Sequence, residues 1–157
     1  GNVQTRLQKL RSGVAFGTLL AMAGLNRLRI SDVPIFPIEI DDMLPAVAQG
    51  VIGIERRMSD SSTAHLLERV NHYETERVLS CERAYLKALD GSCQTPIAGC
   101  AILENGNIYF RAEIIKPDGS QKLTESGVCL KEDAEELGIE LAERLRSKAP
   151  TDFFSWL

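Results

Sequence analysis

The chain has 157 residues, 44% of them hydrophobic and 25% charged, with a net charge of −4. A sequence of this size can bury about 68–70% of its unfolded surface, so one or two small domains are expected, and the slight acidity argues against nucleic acid as a partner. No apolar run approaches the ~18 residues needed to cross a bilayer, and the opening GNVQTRLQKLR holds no hydrophobic signal core, so no membrane partner is expected and the location expected is the cytoplasm.

In chain order, Asn2 is placed to cap a helix whose apolar positions Val3, Leu7 and Leu10 follow a helical period, with Ser12 and Gly13 ending it. The chain opens at Gly1 rather than Met with that helix already under way, and truncation is expected. A short apolar run, Thr18 to Met22, reads as a buried strand, Ala23 to Leu28 as a helical turn or two, Arg29 to Pro37 as a loop and Ile38 to Ile40 as a further strand. Strand and helix alternation of this kind belongs to an α/β layer. In LPAVAQGVIGIERR a β-like run, Val51 to Glu55, follows the flexible pair Gln49-Gly50 and ends at Arg56-Arg57, which puts a domain boundary near Met58.

Ser61 and Ser62 are cap residues ahead of Ala64, Leu66, Leu67 and Val70, the start of a helical hairpin. Its second helix should run from Tyr73 to Leu89, with Val78, Cys81, Tyr85 and Leu89 on one face and Asp90-Gly91 as its stop. After the loop GSCQTP come three strands, Ile97 to Leu103, Ile108 to Ile115 and Gln121 to Leu130, divided by Asn105-Gly106 and Pro117-Asp118-Gly119 into an antiparallel meander. Glu132 to Lys148 is acidic at its start and basic at its end, with Ala134, Leu137, Leu141 and Leu145 as the face that covers the sheet. Thr151 to Leu157 can close as a turn burying Phe153, Phe154 or Trp156. The fold class is therefore α+β: a three-stranded antiparallel sheet packed on helices in residues 58–157, preceded by an incomplete α/β remnant in residues 1–57.

Four cysteines, Cys81, Cys93, Cys100 and Cys129, are expected as reduced thiols, since a chain with this many core residues needs no disulfide staples. Neither they nor His65 and His72 show the close pairing of a zinc site, and no metal is expected. Cys81, Cys100 and Cys129 fall within helix or strand patterns. Cys93 lies in Gly91-Ser92-Cys93-Gln94-Thr95-Pro96, on backbone freed by Gly and fixed by Pro, so its sulfur can project from the packed elements; a small buried hydrophobe is the plainer reading.

RLQKLRSG, LAMAGLNRL, LPAVAQGVIGIE, NHYETERVLSCERAYLKALDGSCQTPIAG and the PDGS turn are similar, in this order, to segments of the porphobilinogen deaminases (hydroxymethylbilane synthases), and together they cover essentially the whole chain. The chain resembles that family's carboxy-terminal half. The resemblance implies a transferase of tetrapyrrole and haem biosynthesis, which adds four porphobilinogen units head to tail to a dipyrromethane with loss of ammonia and releases hydroxymethylbilane. It implies that Cys93 bears the dipyrromethane through a thioether, as a tether that keeps the growing chain in place rather than as a nucleophile in each cycle. A helix carboxy terminus just before Cys93, which disfavours a thiolate, agrees with that role.

Pyrroles of this pathway carry an acetate and a propionate, which arginine grips with two hydrogen bonds. The resemblance points to Arg6, in the first turn of the opening helix where free backbone N–H groups could assist it, and to Arg27; each reads otherwise as a surface arginine. Gln49, Gly50 and the backbone of Ala21 match segments near the cofactor, whereas Arg56, Arg83 and Glu82 look like structural or interdomain ion-pair residues, and His72 and Glu74 like caps.

The family's first domain, most of the opening half of its second and its catalytic aspartate match nothing here, so no catalytic residue is assigned and the chain alone is not expected to catalyse the full reaction. Residues 1–57 would then be a periplasmic-binding-protein-like remnant of two domains, whose strand edges another copy of the chain could cover. Phe16 departs from the acidic residue of many relatives. Two other classes stay open: a binding or regulatory module without catalysis, and a cysteine hydrolase pairing Cys93 with His72, although no base or oxyanion motif adjoins Cys93.

Overall fold

Helix α1 (Val3–Arg11) starts where Asn2, in extended conformation, accepts the Thr5 N–H on its side chain, and it ends at Ser12 with Gly13 in the left-handed region. The computed structural model describes residues 2–92 and 95–154, and the chain clusters into two units, Gly1–Asp42 and Met43–Leu157. In the first unit α1 is followed by α2 (Met22–Arg27), and Val3 touches Gly24 closely enough that a Cβ there would lie 3.6 Å from its methyl. Leu7 and Leu25 are its buried apolar side chains, while Phe16, Leu19 and Phe36 stand exposed.

The strands expected at Thr18 to Met22, Ile38 to Ile40 and Val51 to Glu55 are not formed: among the described residues these segments join no ladder, and Met22 opens α2 instead. Apolar run and extended backbone make a strand only when a neighbour supplies N–H and C=O partners. The α/β remnant thus contributes helices and unpaired extended chain.

In the second unit α3 (Ser61–Leu67) is capped not by Ser61 or Ser62 but by Asp60, whose carboxylate accepts the Thr63 N–H at 2.9 Å. A 3-10 turn, Glu68–Val70, leads to α4 (Tyr73–Ala88), capped by His72. Strands β1 (Ile97–Glu104), β2 (Asn107–Ile115) and β3 (Lys122–Leu130) form an antiparallel sheet in the order β1-β2-β3. The Asn105-Gly106 turn has positive φ at both residues, 51° and 80°, the hairpin geometry that this dipeptide favours. A 3-10 turn, Lys131–Asp133, precedes α5 (Ala134–Lys148).

The core lies between the sheet and the two long helices. Cys81 and Tyr85 of α4, Leu89 at its carboxy-terminal cap, and Ala134, Leu137, Leu141 and Leu145 of α5 meet Ile108, Phe110, Ala112 and Ile114 of β2, all buried. The Tyr85 ring meets Phe110 edge to face at 5.2 Å, and its hydroxyl donates to the Glu113 carbonyl at 3.1 Å, so the one polar atom of this side chain is satisfied. Helices α4 and α5 cross at Gly138, where a Cβ would overlap the Cys81 carbonyl oxygen and stand 2.9 Å from the Tyr85 nitrogen. Phe153 is buried after α5; Phe154 is partly so, and Trp156 lies outside the described residues.

The boundary read from the sequence near Met58 falls inside the second unit. Pro45 to Ala48 attach to β1 and α4: the Gly99 N–H donates to the Pro45 carbonyl at 3.0 Å, Ala46 bridges Ala98, and Ala48 bonds Glu82. Those bonds draw the LPAVAQG segment into the sheet domain.

Candidate functional site

Cys93 and Gln94 lie outside the described residues, so the loop is known by its flanks. Helix α4 closes with Asp90 in the left-handed region at φ 54°, its N–H bonded to the Lys87 carbonyl and that of Gly91 to the Leu86 carbonyl, both at 3.0 Å. A non-glycine residue there costs roughly 1–2 kcal/mol. Arg146 of α5 reaches Asp90 at 3.1 Å, an exposed pair of small energetic weight. Beyond it, the Ser92 N–H donates to the Thr95 hydroxyl at 2.9 Å and the Thr95 N–H donates to the Ser92 carbonyl at 3.1 Å. The Ile115 N–H then donates to the Pro96 carbonyl at 3.0 Å, fastening the return into β1. Both ends of the loop are therefore anchored to the packed domain.

Gln49 and Gly50 sit on a turn from Ala46 to Val51. The Gln49 N–H donates to the Ala46 carbonyl at 3.0 Å, the Val51 N–H donates to the Ala48 carbonyl at 3.2 Å, and Ala48 and Gly50 have φ of 62° and 88°. Both Gln49 and Gly50 are exposed. A Cβ at Gly50 would meet nothing within 4 Å, so glycine answers there to backbone conformation and leaves the main chain open to close approach.

Glu82 holds this turn. Only 7% exposed, its Oε2 accepts the Ala48 N–H at 2.7 Å and its Oε1 the Ala101 N–H at 2.9 Å. Burial pushes its carboxyl above the usual glutamate range, and the two N–H bonds partly oppose that rise. The expectation of an ion-pair role is met differently: its carboxylate oxygens serve backbone groups. Arg56 likewise donates to the carbonyls of Arg57 and Met58.

Arg6, Ala21 and Arg27 belong to the first unit. Arg6 is exposed on α1, its Nη1 3.4 Å from the Thr18 hydroxyl. The N–H groups of Thr5 and Arg6 are both taken by Asn2, so what Arg6 itself can offer a carboxylate is its guanidinium and not its own N–H. Ala21 caps α2 with its carbonyl, which accepts from Gly24 and Leu25, and Arg27 is exposed on the last turn of that helix.

The other cysteines are poor nucleophiles. Burial pushes the Cys81 thiol up to about 12, helped by the nearby Cys129 and Glu82, and burial also raises Cys100 and Cys129. His72 accepts the Thr75 N–H at Nδ1, 3.3 Å away, a cap rather than a catalytic base. Among the described residues no cluster of His, Cys, Asp and Glu is placed to hold a metal, and no helix is long and apolar enough to cross a membrane. An open hollow of about 580 Å³ is lined by Glu55, Arg56, Arg57, Asp60 and Thr63, none of them an expected site residue.

Fold and site together define an α+β protein whose candidate groups lie on surface turns, short helices and one anchored loop. Residues 1–65 match the family model described as porphobilinogen deaminase, dipyromethane cofactor binding domain, and residues 76–147 match porphobilinogen deaminase, C-terminal domain. The chain belongs to the porphobilinogen deaminase family. It is 51% identical over 156 residues to a porphobilinogen deaminase of Paracoccus denitrificans, covering 99% of this chain and 50% of the relative. A chloroplastic porphobilinogen deaminase of Pisum sativum is 49% identical (99% of this chain, 43% of the relative) and one of Nitrobacter hamburgensis 45% (99% and 49%). The chain spans about half the length of these relatives.

Proposed function

We propose that this chain is the dipyrromethane-bearing part of a porphobilinogen deaminase, a cytoplasmic transferase that joins four porphobilinogen units and releases hydroxymethylbilane. The observation that carries this reading is the order of the two family matches on one chain. The match described by cofactor binding spans Arg6, Ala21, Arg27, Gln49 and Gly50, and the C-terminal match spans Cys93. Two family domains on one chain are part of the same reading, supported by the gap at residues 66–75 between the matches; the division into residues 1–57 and 58–157 lies a few residues before that gap.

The residues present suit the group. Exposed guanidinium groups at Arg6 and Arg27 can each take an acetate or propionate carboxylate by paired hydrogen bonds. The open backbone at Gly50 admits a planar ring, and Gln49 offers an amide beside it. Cys93 is the thioether attachment point, on a loop whose flanks Ser92 and Thr95 bind each other and so limit the spread of the tether. When bound, dipyrromethane supplies the primer to which porphobilinogen units are added.

Intact mass of the purified chain and of its Cys93→Ala variant tests this. A pyrrole dimer on the first and not on the second is the expected result. Equal unmodified masses, also after incubation with porphobilinogen, would overturn the assignment and leave a binding module without the tether.

A further inference from the structure

Among the described residues Glu82 is the charged side chain that the fold buries, and burying a carboxylate costs free energy unless hydrogen bonds repay it. Its two bonds have one thing in common: each satisfies an N–H that the sheet leaves without a partner. Ala101 lies on β1, the edge strand that pairs on one side only with β2, and Ala48 lies where the chain leaves its bridge at Ala46 and Ala98. Ala48 also holds a left-handed φ of 62°, a state that a residue with a Cβ keeps only when its surroundings enforce it. The next two residues are Gln49 and Gly50.

We propose that Glu82 is a positioning residue: by bonding Ala48 and Ala101 at once, it locks the turn from Ala46 to Val51 onto β1 and holds Gln49 and Gly50 where a pyrrole ligand meets them. The second clause rests on the function proposed above. The first does not. A glutamate is suited to this task because a carboxylate has two acceptor oxygens and no donor; glutamine presents one acceptor and a donor that faces the second N–H, and aspartate is one methylene too short to span both.

The test uses the chain as it stands, in parent, Glu82→Gln and Glu82→Asp forms, with two readouts. Amide exchange followed by NMR is expected to speed up at Ala48 by about tenfold or more in both variants, the equivalent of one lost hydrogen bond, and by more than at Phe110 and Ala112 in the core, which report global stability. Titration with porphobilinogen is expected to shift the Gln49 and Gly50 amides of the parent saturably, and to need about tenfold more ligand in the variants. Unchanged exchange at Ala48 in either folded variant would sink the lock. Faster exchange with an unaltered titration would sink the positioning role. A parent whose Gln49 and Gly50 amides ignore porphobilinogen would overturn the proposed function and the positioning clause with it, leaving the lock to be decided by exchange alone.

Discussion

The Ser92 N–H and the Thr95 hydroxyl lie 2.9 Å apart, and the Thr95 N–H returns a bond to the Ser92 carbonyl at 3.1 Å. The side-chain part runs through the Thr95 hydroxyl, which also lies 3.3 Å from the Ser92 hydroxyl. Thr95→Val keeps the shape and removes the acceptor, so it should cost about 1 kcal/mol of stability. It should also lower the fraction of chain carrying a pyrrole adduct, while Thr95→Ser keeps it. Denaturant titration and intact mass read the two effects; an undiminished adduct in the Val variant would show that the tether loop needs no such closure.

At Gly138 α5 lies directly against α4, with the Tyr85 nitrogen 2.9 Å and the Ala84 methyl 3.1 Å from a would-be Cβ. Alanine improves helix propensity by about 1 kcal/mol, and overpacking costs ~1–3 kcal/mol or more because here the neighbour is helix backbone that has no rotamer to change. The backbone contact should win. Gly138→Ala is expected to lower the unfolding free energy by about 2 kcal/mol, seen as a shifted denaturant midpoint at constant slope. An equal or higher midpoint would mean that the helices do not cross so closely.

Local pattern made most of the second unit legible. The face Ala134, Leu137, Leu141, Leu145 and the Asn105-Gly106 turn each follow from spacing within a few residues, and the structure buries the first and turns at the second. Thr18 to Met22 and Val51 to Glu55 look alike in sequence to β1, but a strand is a relation between two chains and its partner is not written in the run itself. Glu82 was legible as a structural or ion-pair residue but not by its partners, since the N–H groups it serves lie 34 and 19 residues away. Of the candidate site, motif likeness could point to residue identities; it could not show that the N–H groups of Thr5 and Arg6 are already taken by Asn2, which depends on how the cap folds.

The raised carboxyl of Glu82 sets the sign of a pH effect. Its ordinary value is near 4.5, and burial lifts the folded value above that. Such a group contributes stability that is present below the unfolded value and is lost as pH rises through the folded one, because the native carboxylate must ionise inside the protein while the unfolded one ionises in water. Asp60, Asp118 and Asp152 are held below their usual value chiefly by hydrogen bonds, so their contribution has the opposite sign and fades as pH falls. Those aspartates are common to the parent and to Glu82→Gln, and they cancel in the difference. The parent should therefore lose stability relative to the variant as pH rises from about 4.5 towards neutrality. Denaturant titrations of both proteins across that interval check the sign; a parent that gains on the variant would contradict it.

Cys81 separates a buried thiol from a tethered one. Burial pushes its ionisation up to about 12, so the thiol stays protonated at pH 8, and the side chain has no exposed surface. Iodoacetamide applied to the native protein should leave Cys81 unmodified, and in denaturant it should alkylate Cys81 along with Cys100 and Cys129. Cys93 is expected to behave differently from all of these. If its sulfur is already a thioether, unfolding exposes no thiol there, and its peptide should stay unalkylated in denaturant while carrying the mass of the pyrrole dimer. Peptide mapping distinguishes the cases: alkylation of Cys93 to completion in denaturant would mean a free thiol and no tether, whereas rapid labelling of native Cys81 would mean that the interface of α4 with the sheet opens far more readily than its packing implies.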